Sequence, residues 1–140
     1  MIGENSKIIA IDFDGTVVED KYPKIGKPMI FAFETLKSLQ ADGHRLVLWT
    51  YRHGSRLREA VEFCAENGIE FYAVNSSFQG EEFDSKTQSR KINADIFVDD
   101  RNVGGFIGWG EVYQKISGKS SSNDEIKSMK KKRKKGFFKF

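Results

Sequence analysis

The chain has 140 residues, enough for one domain with a single core and at most one additional tail. Its 39% hydrophobic and 31% charged residues are ordinary for a globular protein, and its single cysteine, Cys64, excludes an internal disulfide and a cysteine-based metal site. No apolar run approaches the roughly 20 residues of a membrane span, and the first residues lack the pattern of a signal peptide. We therefore expect a cytoplasmic protein.

The net charge of +3 is unevenly distributed along the chain. Residues 123–140 contain eight lysines and arginines and two acids, so the preceding residues carry a small net negative charge. The composition predicts a globular domain at residues 1–118 and a basic, disordered tail at residues 119–140. Basic residues beside three phenylalanines at 127–140 could hold an anionic membrane surface at the inner face of the membrane. Nucleic acid is a less favoured partner, and a merely solvated tail is the remaining interpretation.

The first predicted element is a strand buried on both faces, Ile8–Ile11, with three β-branched side chains. Asp12 and Asp14 follow it, and Gly15 completes a turn signal that ends the strand. Carboxylates two positions apart point to the same side of an extended chain, and a bound cation is the simplest relief of their repulsion. The other interpretation is that both aspartates only end the strand and cap the turn.

The rest of the chain alternates between helical and strand patterns. In order, we predict a loop at 20–27, a helix from Pro28 to Gly43, a strand at 44–50, a helix from Ser55 to Gly68, a strand at 69–74, a polar loop at 75–90, a strand at 94–100, a glycine-rich loop at 101–110 and a short helix at 111–116. This alternation indicates an α/β fold with a central parallel sheet.

Three of these strands end in polar residues. Asp12 follows the first, Thr50 ends the second, and Asp99 with Asp100 ends the last. Because parallel strands point the same way, their carboxyl ends meet at one edge of the sheet, where ligands of open α/β sheets bind. We expect these residues to gather there although they are far apart in sequence.

The same residues resemble, in order, the motifs of the haloacid dehalogenase superfamily of phosphotransferases. The first motif, D-x-D-G-T, stands at residues 12–16, and the second is Thr50 in LVLWTYR. The third, a basic residue, is placed at Lys91 in SRKINADIFVDD, and the fourth is the pair Asp99 and Asp100. Within the superfamily, the phrases LWTYR and KINADIFVDDRNVGG resemble a group of small, cap-less (C0-type) bacterial phosphatase-like proteins.

The resemblance implies a role for each acidic motif. Asp12 would be the nucleophile that forms an aspartyl-phosphate, and Asp14 would protonate the leaving oxygen and then activate water. Asp12, the backbone carbonyl of Asp14, and Asp99 and Asp100 would hold Mg²⁺, which prefers hard oxygen ligands. Whether Asp99 or Asp100 is the direct ligand stays open.

The other two motifs would bind the phosphate group of the substrate and neutralise its negative charge. Thr50 and the backbone N–H groups after it would hold phosphate oxygens, and Lys91 would neutralise the attacked phosphoryl group, with Lys86 and Arg90 as competitors for that role. Arg52, His53 and Arg56 could contact a second anionic group of the substrate or be ordinary exposed residues at the start of a helix.

The resemblance also implies a Rossmann-like three-layer sandwich, but the spacing leaves no room for a cap domain. Only 36 positions separate Asp14 from Thr50, and 41 separate Thr50 from Lys91. The site should therefore be open, and a bulky substrate, a homo-oligomer or nearby loops must exclude water from it.

Two functions compete at this point. The first is a Mg²⁺-dependent phosphomonoester hydrolase acting on a phosphorylated sugar or another small metabolite. The alternative is a binding module with little catalytic activity that acts through its basic, aromatic tail at a membrane surface or on nucleic acid.

Overall fold

A computed structural model of the protein describes residues 5–118, so the predictions for the tail at 119–140 lie outside the described residues. The chain divides into two compact units, residues 1–106 and residues 107–140. The first unit contains the sheet and two helices, and the described part of the second contains one helix. Between residues 5 and 118, no helix has both the length and the apolar character needed to cross a membrane.

The first unit is built on a four-stranded parallel sheet. Its strands are β1 Ile8–Ile11, β2 Arg45–Leu48, β3 Ala73–Val74 and β4 Ile96–Val98, and their order in the sheet is β3-β2-β1-β4. β1 pairs with both β2 and β4, so that Ile11 lies opposite Leu48 on one side and Val98 on the other. The predicted α/β fold with a central parallel sheet is confirmed, and the described residues contain no cap domain.

The helices are α1 Ala32–Ala41, α2 Gly54–Glu66 and, in the second unit, α3 Trp109–Ser117. α1 contacts β2, and its Phe33 ring packs edge-on against Phe63 of α2 at 5.8 Å between centroids. Phe63 also meets Phe13, which follows β1, at 6.4 Å. These apolar contacts hold the two helices together as one layer of the first unit.

A second apolar cluster contains alternate residues of the strands. Ala10, Val47 and Ala73 are buried there with Ile92, and Phe97 packs against them. Because side chains alternate between the faces of a sheet, Asp12 and Asp99 extend this face just beyond the last paired residues of β1 and β4. The strand register therefore places two of the predicted acids side by side.

Several predicted bounds differ from those of the structure. α1 begins at Ala32 instead of Pro28, because Pro28 pairs with Val18 in an antiparallel bridge and Phe31 takes a left-handed φ of 66° before the helix starts. α2 has His53 and not Ser55 at its N-cap. β3 and β4 are shorter than predicted, since only two and three residues pair with their neighbours, and α3 starts two residues early.

Candidate functional site

The predicted site residues that follow the strands meet at the carboxyl edge of the sheet. Asp12 follows β1, and its backbone N–H donates to the carbonyl of Val98 at 3.0 Å. Asp99 and Asp100 follow Val98 directly. The parallel register thus joins the first and last acidic motifs across two neighbouring strands.

A tight turn follows Asp12 and brings Thr16 back beside it. The carbonyl of Phe13 accepts backbone hydrogen bonds from Thr16, Val17 and Val18 at 2.9 to 3.3 Å. Thr16 is fully buried, and its hydroxyl lies 3.1 Å from Oδ2 of Asp12 and 3.3 Å from Oδ1 of Asp100. A single hydroxyl therefore bridges two of the carboxylates.

Three carboxylates form a compact cluster. Asp12, Asp99 and Asp100 each offer one oxygen, and these oxygens all lie within 4.8 Å of one another. The three aspartates are partly buried, and the backbone N–H of Arg101 also donates to Oδ1 of Asp99 at 2.8 Å. Hard oxygen donors at this spacing suit a divalent cation such as Mg²⁺.

Within the cluster, the carboxyl of Asp12 has a shifted pKa. The pKa of Asp12 is raised from 3.8 to about 8, mainly by burial and further by the hydrogen bond to Asp100 and the negative charge of Asp99. The Thr16 hydroxyl opposes this change by hydrogen bonding to the carboxylate. In the absence of a cation, the cluster accordingly favours a proton on Asp12.

Asp14 is not part of this cluster, because its carboxylate is paired with Arg52. Both of its carboxylate oxygens accept hydrogen bonds from Arg52, Oδ2 from Nε at 2.7 Å and Oδ1 from Nη2 at 2.8 Å. Hence the side chains of Asp12 and Asp14 do not share one cation, because the guanidinium balances Asp14. The Asp14 side chain is therefore not part of the acidic cluster, and the metal role that the resemblance implies for its backbone carbonyl stays a prediction.

Arg52 is almost completely buried, with 1% of its surface exposed. Its remaining donors reach backbone carbonyls, Nη1 those of Pro23 at 3.2 Å and Arg56 at 3.3 Å, and Nη2 that of Lys24 at 2.9 Å. The hydrogen bond to Asp14 is the main cause that raises the pKa of Arg52. Because its donors are engaged inside the protein, Arg52 is neither a contact for a second anionic group of the substrate nor an exposed residue, the two roles that the sequence suggested.

Thr50 lies two residues beyond β2 and is held by local hydrogen bonds. Its backbone N–H donates to Oδ1 of Asn75 at 2.8 Å, and its hydroxyl oxygen accepts from the backbone N–H of Arg52 at 3.1 Å. Asn75 has a left-handed φ of 51° and donates its own N–H to Leu48. Asn75 was not predicted to be a site residue, although it follows the end of β3 in the same way that Thr50 follows the end of β2.

A cavity of about 780 Å³ opens at this edge of the sheet. Its lining combines acidic and aromatic side chains with one threonine and one arginine: Asp12, Asp14, Asp20, Asp99, Tyr22, Trp49, Tyr51, Thr50 and Arg101. Tyr51 is 89% exposed, and its ring meets that of Tyr22 edge-on at 6.4 Å. No sequence pattern indicates Asp20, Tyr22 or Arg101 as site residues, because their position depends on how two loops fold.

The structure does not bring Lys91 into the cavity lining. Its ammonium lies 5.4 Å from the centre of the ring of Phe97, which is on the face of the sheet that Asp99 extends just beyond the end of β4. The competitors are not in the lining either, because Arg90 stacks on Phe83 at 4.7 Å and Lys86 is an exposed residue outside it. Among the described residues, Arg101 is the cation in the lining.

Comparison with known proteins gives one informative similarity. A solved structure of a conserved protein coded by a locus of Bacteroides thetaiotaomicron is 51% identical to the chain and has a TM-score of 0.76. The similarity covers 81% of this chain and 92% of the Bacteroides chain. No model of a known protein family and no curated protein matches the chain.

Proposed function

The chain belongs to the same protein family as the conserved protein from Bacteroides thetaiotaomicron, and from its site we propose that it is a Mg²⁺-dependent phosphomonoester hydrolase of the haloacid dehalogenase type. One observation carries the proposal. The oxygens of Asp12, Asp99 and Asp100 converge within 4.8 Å beside a cavity that Asp14 and Thr50 also line. Such a set of groups suits phosphoryl transfer, which needs positioning and cancellation of negative charge.

Asp12, Asp99 and Asp100 fit a Mg²⁺ ion by ligand type and spacing. The raised pKa of Asp12 supports this assignment, because three neighbouring carboxylates without a cation favour a proton that Mg²⁺ would replace. When bound, Mg²⁺ would cancel negative charge on the phosphoryl group of the substrate. Both Asp99 and Asp100 offer an oxygen, so both are assigned as ligands.

The aspartates supply the reaction steps. Asp14 enters the reaction with a proton on an oxygen lone pair that Arg52 does not use. A carboxylate oxygen of Asp12 attacks phosphorus, an oxygen–phosphorus bond forms, and the bond from phosphorus to the ester oxygen breaks as Asp14 gives that oxygen its proton. Water then attacks the aspartyl-phosphate, and Asp14 takes the proton released by the water. The bond between Asp12 and phosphorus breaks, phosphate leaves, and both aspartates return to their first state.

Thr50 and two basic side chains, Lys91 and Arg101, would bind the phosphate group of the substrate. The Thr50 oxygen already accepts from the Arg52 N–H, so its hydroxyl hydrogen is available to a phosphate oxygen in the cavity. Arg101 lines the cavity, and Lys91 lies on the same face of the sheet as the acids, from which its long side chain can extend. We assign Lys91 to the attacked phosphoryl group and Arg101 to the entrance.

The aromatic lining supports a substrate with a ring. Tyr51 follows Thr50 directly and exposes nearly all of its ring, and Tyr22 adds a second aromatic surface. Aromatic rings bind the apolar face of a sugar ring, and Asp20 in the lining can accept hydrogen bonds from hydroxyl groups. A phosphorylated sugar or a similar small metabolite fits this description.

The experiment measures phosphate release from p-nitrophenyl phosphate by the full chain, with Mg²⁺ and with a chelator. We expect the activity to depend on Mg²⁺ and Asp12→Asn to lower it by at least about a hundredfold. Glu70→Gln, which changes an exposed carboxylate away from the cavity, is the matched control and should retain full activity. Equal rates for Asp12→Asn and the unaltered protein would reject the proposal.

A further inference from the structure

Arg52 joins three separate parts of the first unit through one side chain. Its guanidinium binds both carboxylate oxygens of Asp14, the carbonyls of Pro23 and Lys24, and the carbonyl of Arg56 at the start of α2. A guanidinium has five N–H donors, and these five hydrogen bonds use all of them. The mechanism above gives no role to this buried group.

The contacts of Arg52 fix the orientation of Asp14. A guanidinium that binds a carboxylate through two parallel hydrogen bonds sets the plane as well as the position of the carboxylate. The guanidinium itself is stacked between two rings, since its centre lies 5.1 Å from that of Phe13 and 5.2 Å from that of Tyr22. Lysine could supply the charge at this point but not the paired geometry.

The same guanidinium holds the loop at residues 19–27. At the base of this loop, the N–H of Glu19 donates to the carbonyl of Lys27 at 2.8 Å, while its outer part is bound to Arg52 through Pro23 and Lys24. Asp20 and Tyr22 of the loop line the cavity together with Asp14. One wall of the cavity and the orientation of Asp14 therefore share a single support.

We propose that Arg52 is a positioning residue that couples the 19–27 loop to Asp14, so that the position of the loop sets how the Asp14 carboxylate meets the leaving oxygen of the substrate. This inference rests on the proposed function. A leaving group that contacts Tyr22 or Asp20 acts on the loop, and the loop acts on Asp14 through the guanidinium. Arg52 thereby favours esters whose alcohol reaches the loop.

The test compares two esters that differ in their need for a proton on the leaving oxygen. p-Nitrophenol leaves without one, whereas a sugar or alkyl alkoxide requires it. We expect Arg52→Lys to lower kcat/KM by about threefold or less for p-nitrophenyl phosphate and by at least about thirtyfold for glucose 6-phosphate. A purely structural role for Arg52 would lower both by the same factor, and that result would overturn the inference.

Two further variants complete this test. Arg56→Lys changes an exposed arginine nearby, whose own side chain pairs with Glu59, and should leave the ratio of the two rates unchanged. In an Asp14→Asn background, Arg52→Lys should cause little additional loss with glucose 6-phosphate, because the acid that it positions is already absent. Additive losses in this double variant would contradict the inference even where Arg52→Lys alone lowers stability.

A measurement without substrate tests the coupling itself. Amide hydrogen exchange should become at least about tenfold faster at residues 19–27 in Asp14→Asn, because the guanidinium loses its paired acceptor, and remain unchanged at β1. Unchanged exchange in the loop would overturn the coupling. Failure of the unaltered protein to hydrolyse either ester would instead overturn the proposed function, and exchange would still decide whether Arg52 links the loop to Asp14.

Discussion

Gly15 and the carboxylate of Asp100 are in direct contact across the turn that follows β1. A Cβ atom at position 15 would lie too close to Oδ2 of Asp100, well inside van der Waals contact, and Gly15 also has a left-handed φ of 87°. The glycine of the first motif thus has two physical reasons to be present. It permits the backbone conformation of the turn, and it leaves space for an acid of the last motif.

Gly15→Ala should lower both stability and Mg²⁺ affinity. The left-handed conformation costs alanine about 1 kcal/mol, and displacement of the Asp100 carboxylate adds to that cost. Gly80→Ala is the matched control, because Gly80 has a φ of 85° and no atom within 4 Å of the added Cβ. Urea unfolding and Mg²⁺ titration of both variants would separate the effects, and equal behaviour of the two would show that the contact with Asp100 is unimportant.

The pKa of Asp12 predicts a pH dependence of stability. Its native pKa of about 8 lies above the ordinary value of 3.8, so the folded state binds the proton more tightly than the unfolded chain. The resulting stabilisation is complete below about pH 4 and is lost as the pH rises toward about 8. Mg²⁺ should restore stability, most strongly at the alkaline end of this range.

Unfolding in urea at about pH 5 and about pH 8, with and without Mg²⁺, checks this prediction. Asp12→Asn should show a weaker loss of stability between the two pH values and little response to Mg²⁺. The difference between the two proteins isolates Asp12, because every other titratable group is shared. Parallel pH profiles for both proteins would contradict the assigned shift.

Removal of the Arg52 side chain should destabilise the first unit. In Arg52→Met, the carboxylate of Asp14 loses its partner while only 15% of its side chain is exposed, and the expected cost is about 3 kcal/mol. Arg56→Met breaks an exposed pair with Glu59 at 3.4 Å and should cost less than about 0.5 kcal/mol. Chemical denaturation gives the free energy of unfolding of both variants. Similar losses of stability in the two would argue against a structural role for the buried pair.

Tyr51 should contribute to substrate binding but not to stability. Its ring is almost fully exposed, so Tyr51→Ala should change the free energy of unfolding by less than about 0.5 kcal/mol. Loss of stacking worth about 1 kcal/mol should raise KM about fivefold for a sugar phosphate. The KM for methyl phosphate, which has no ring, is the control, and an equal rise for both esters would exclude a stacking role.

The basic tail provides a separate prediction. Deletion of residues 123–140 should leave the hydrolysis of a soluble ester within about twofold of the full chain while abolishing any binding to vesicles that contain phosphatidylserine. Vesicle sedimentation and phosphate release measured on the same preparations test both parts. Loss of hydrolysis together with the tail would instead favour a function in which the tail takes part in the reaction.

The sheet and its acidic edge could be predicted because they depend on short, local patterns. An apolar run followed by polar residues identifies the end of a strand, and the parallel order then brings Asp12, Asp99 and Asp100 together. The direction of the strands alone is enough to place these acids at one edge of the sheet, without any detail of side-chain packing.

Contacts made by long side chains could not be predicted in the same way. Arg52 reaches Asp14 across 38 positions, and its other acceptors are carbonyls of a loop whose path no periodic pattern describes. For Lys91 the sequence suggests a role that its contacts do not show. Its place in the sequence matches a motif, but its ammonium lies over the ring of Phe97. For residues of this kind, sequence position indicates which segment they occupy but not which groups they touch.

The place of β1 between β2 and β4 has a consequence for biosynthesis. As the chain leaves the ribosome, β1 can pair with β2 once Leu48 has emerged, but its other edge has no neighbour until residues 96–98 are made. The acidic cluster is therefore completed only when nearly the whole first unit has been translated. A nascent chain that stops before Ile96 presents an open strand edge and Asp12 without the other two acids, so it is exposed to aggregation and its acidic cluster is incomplete.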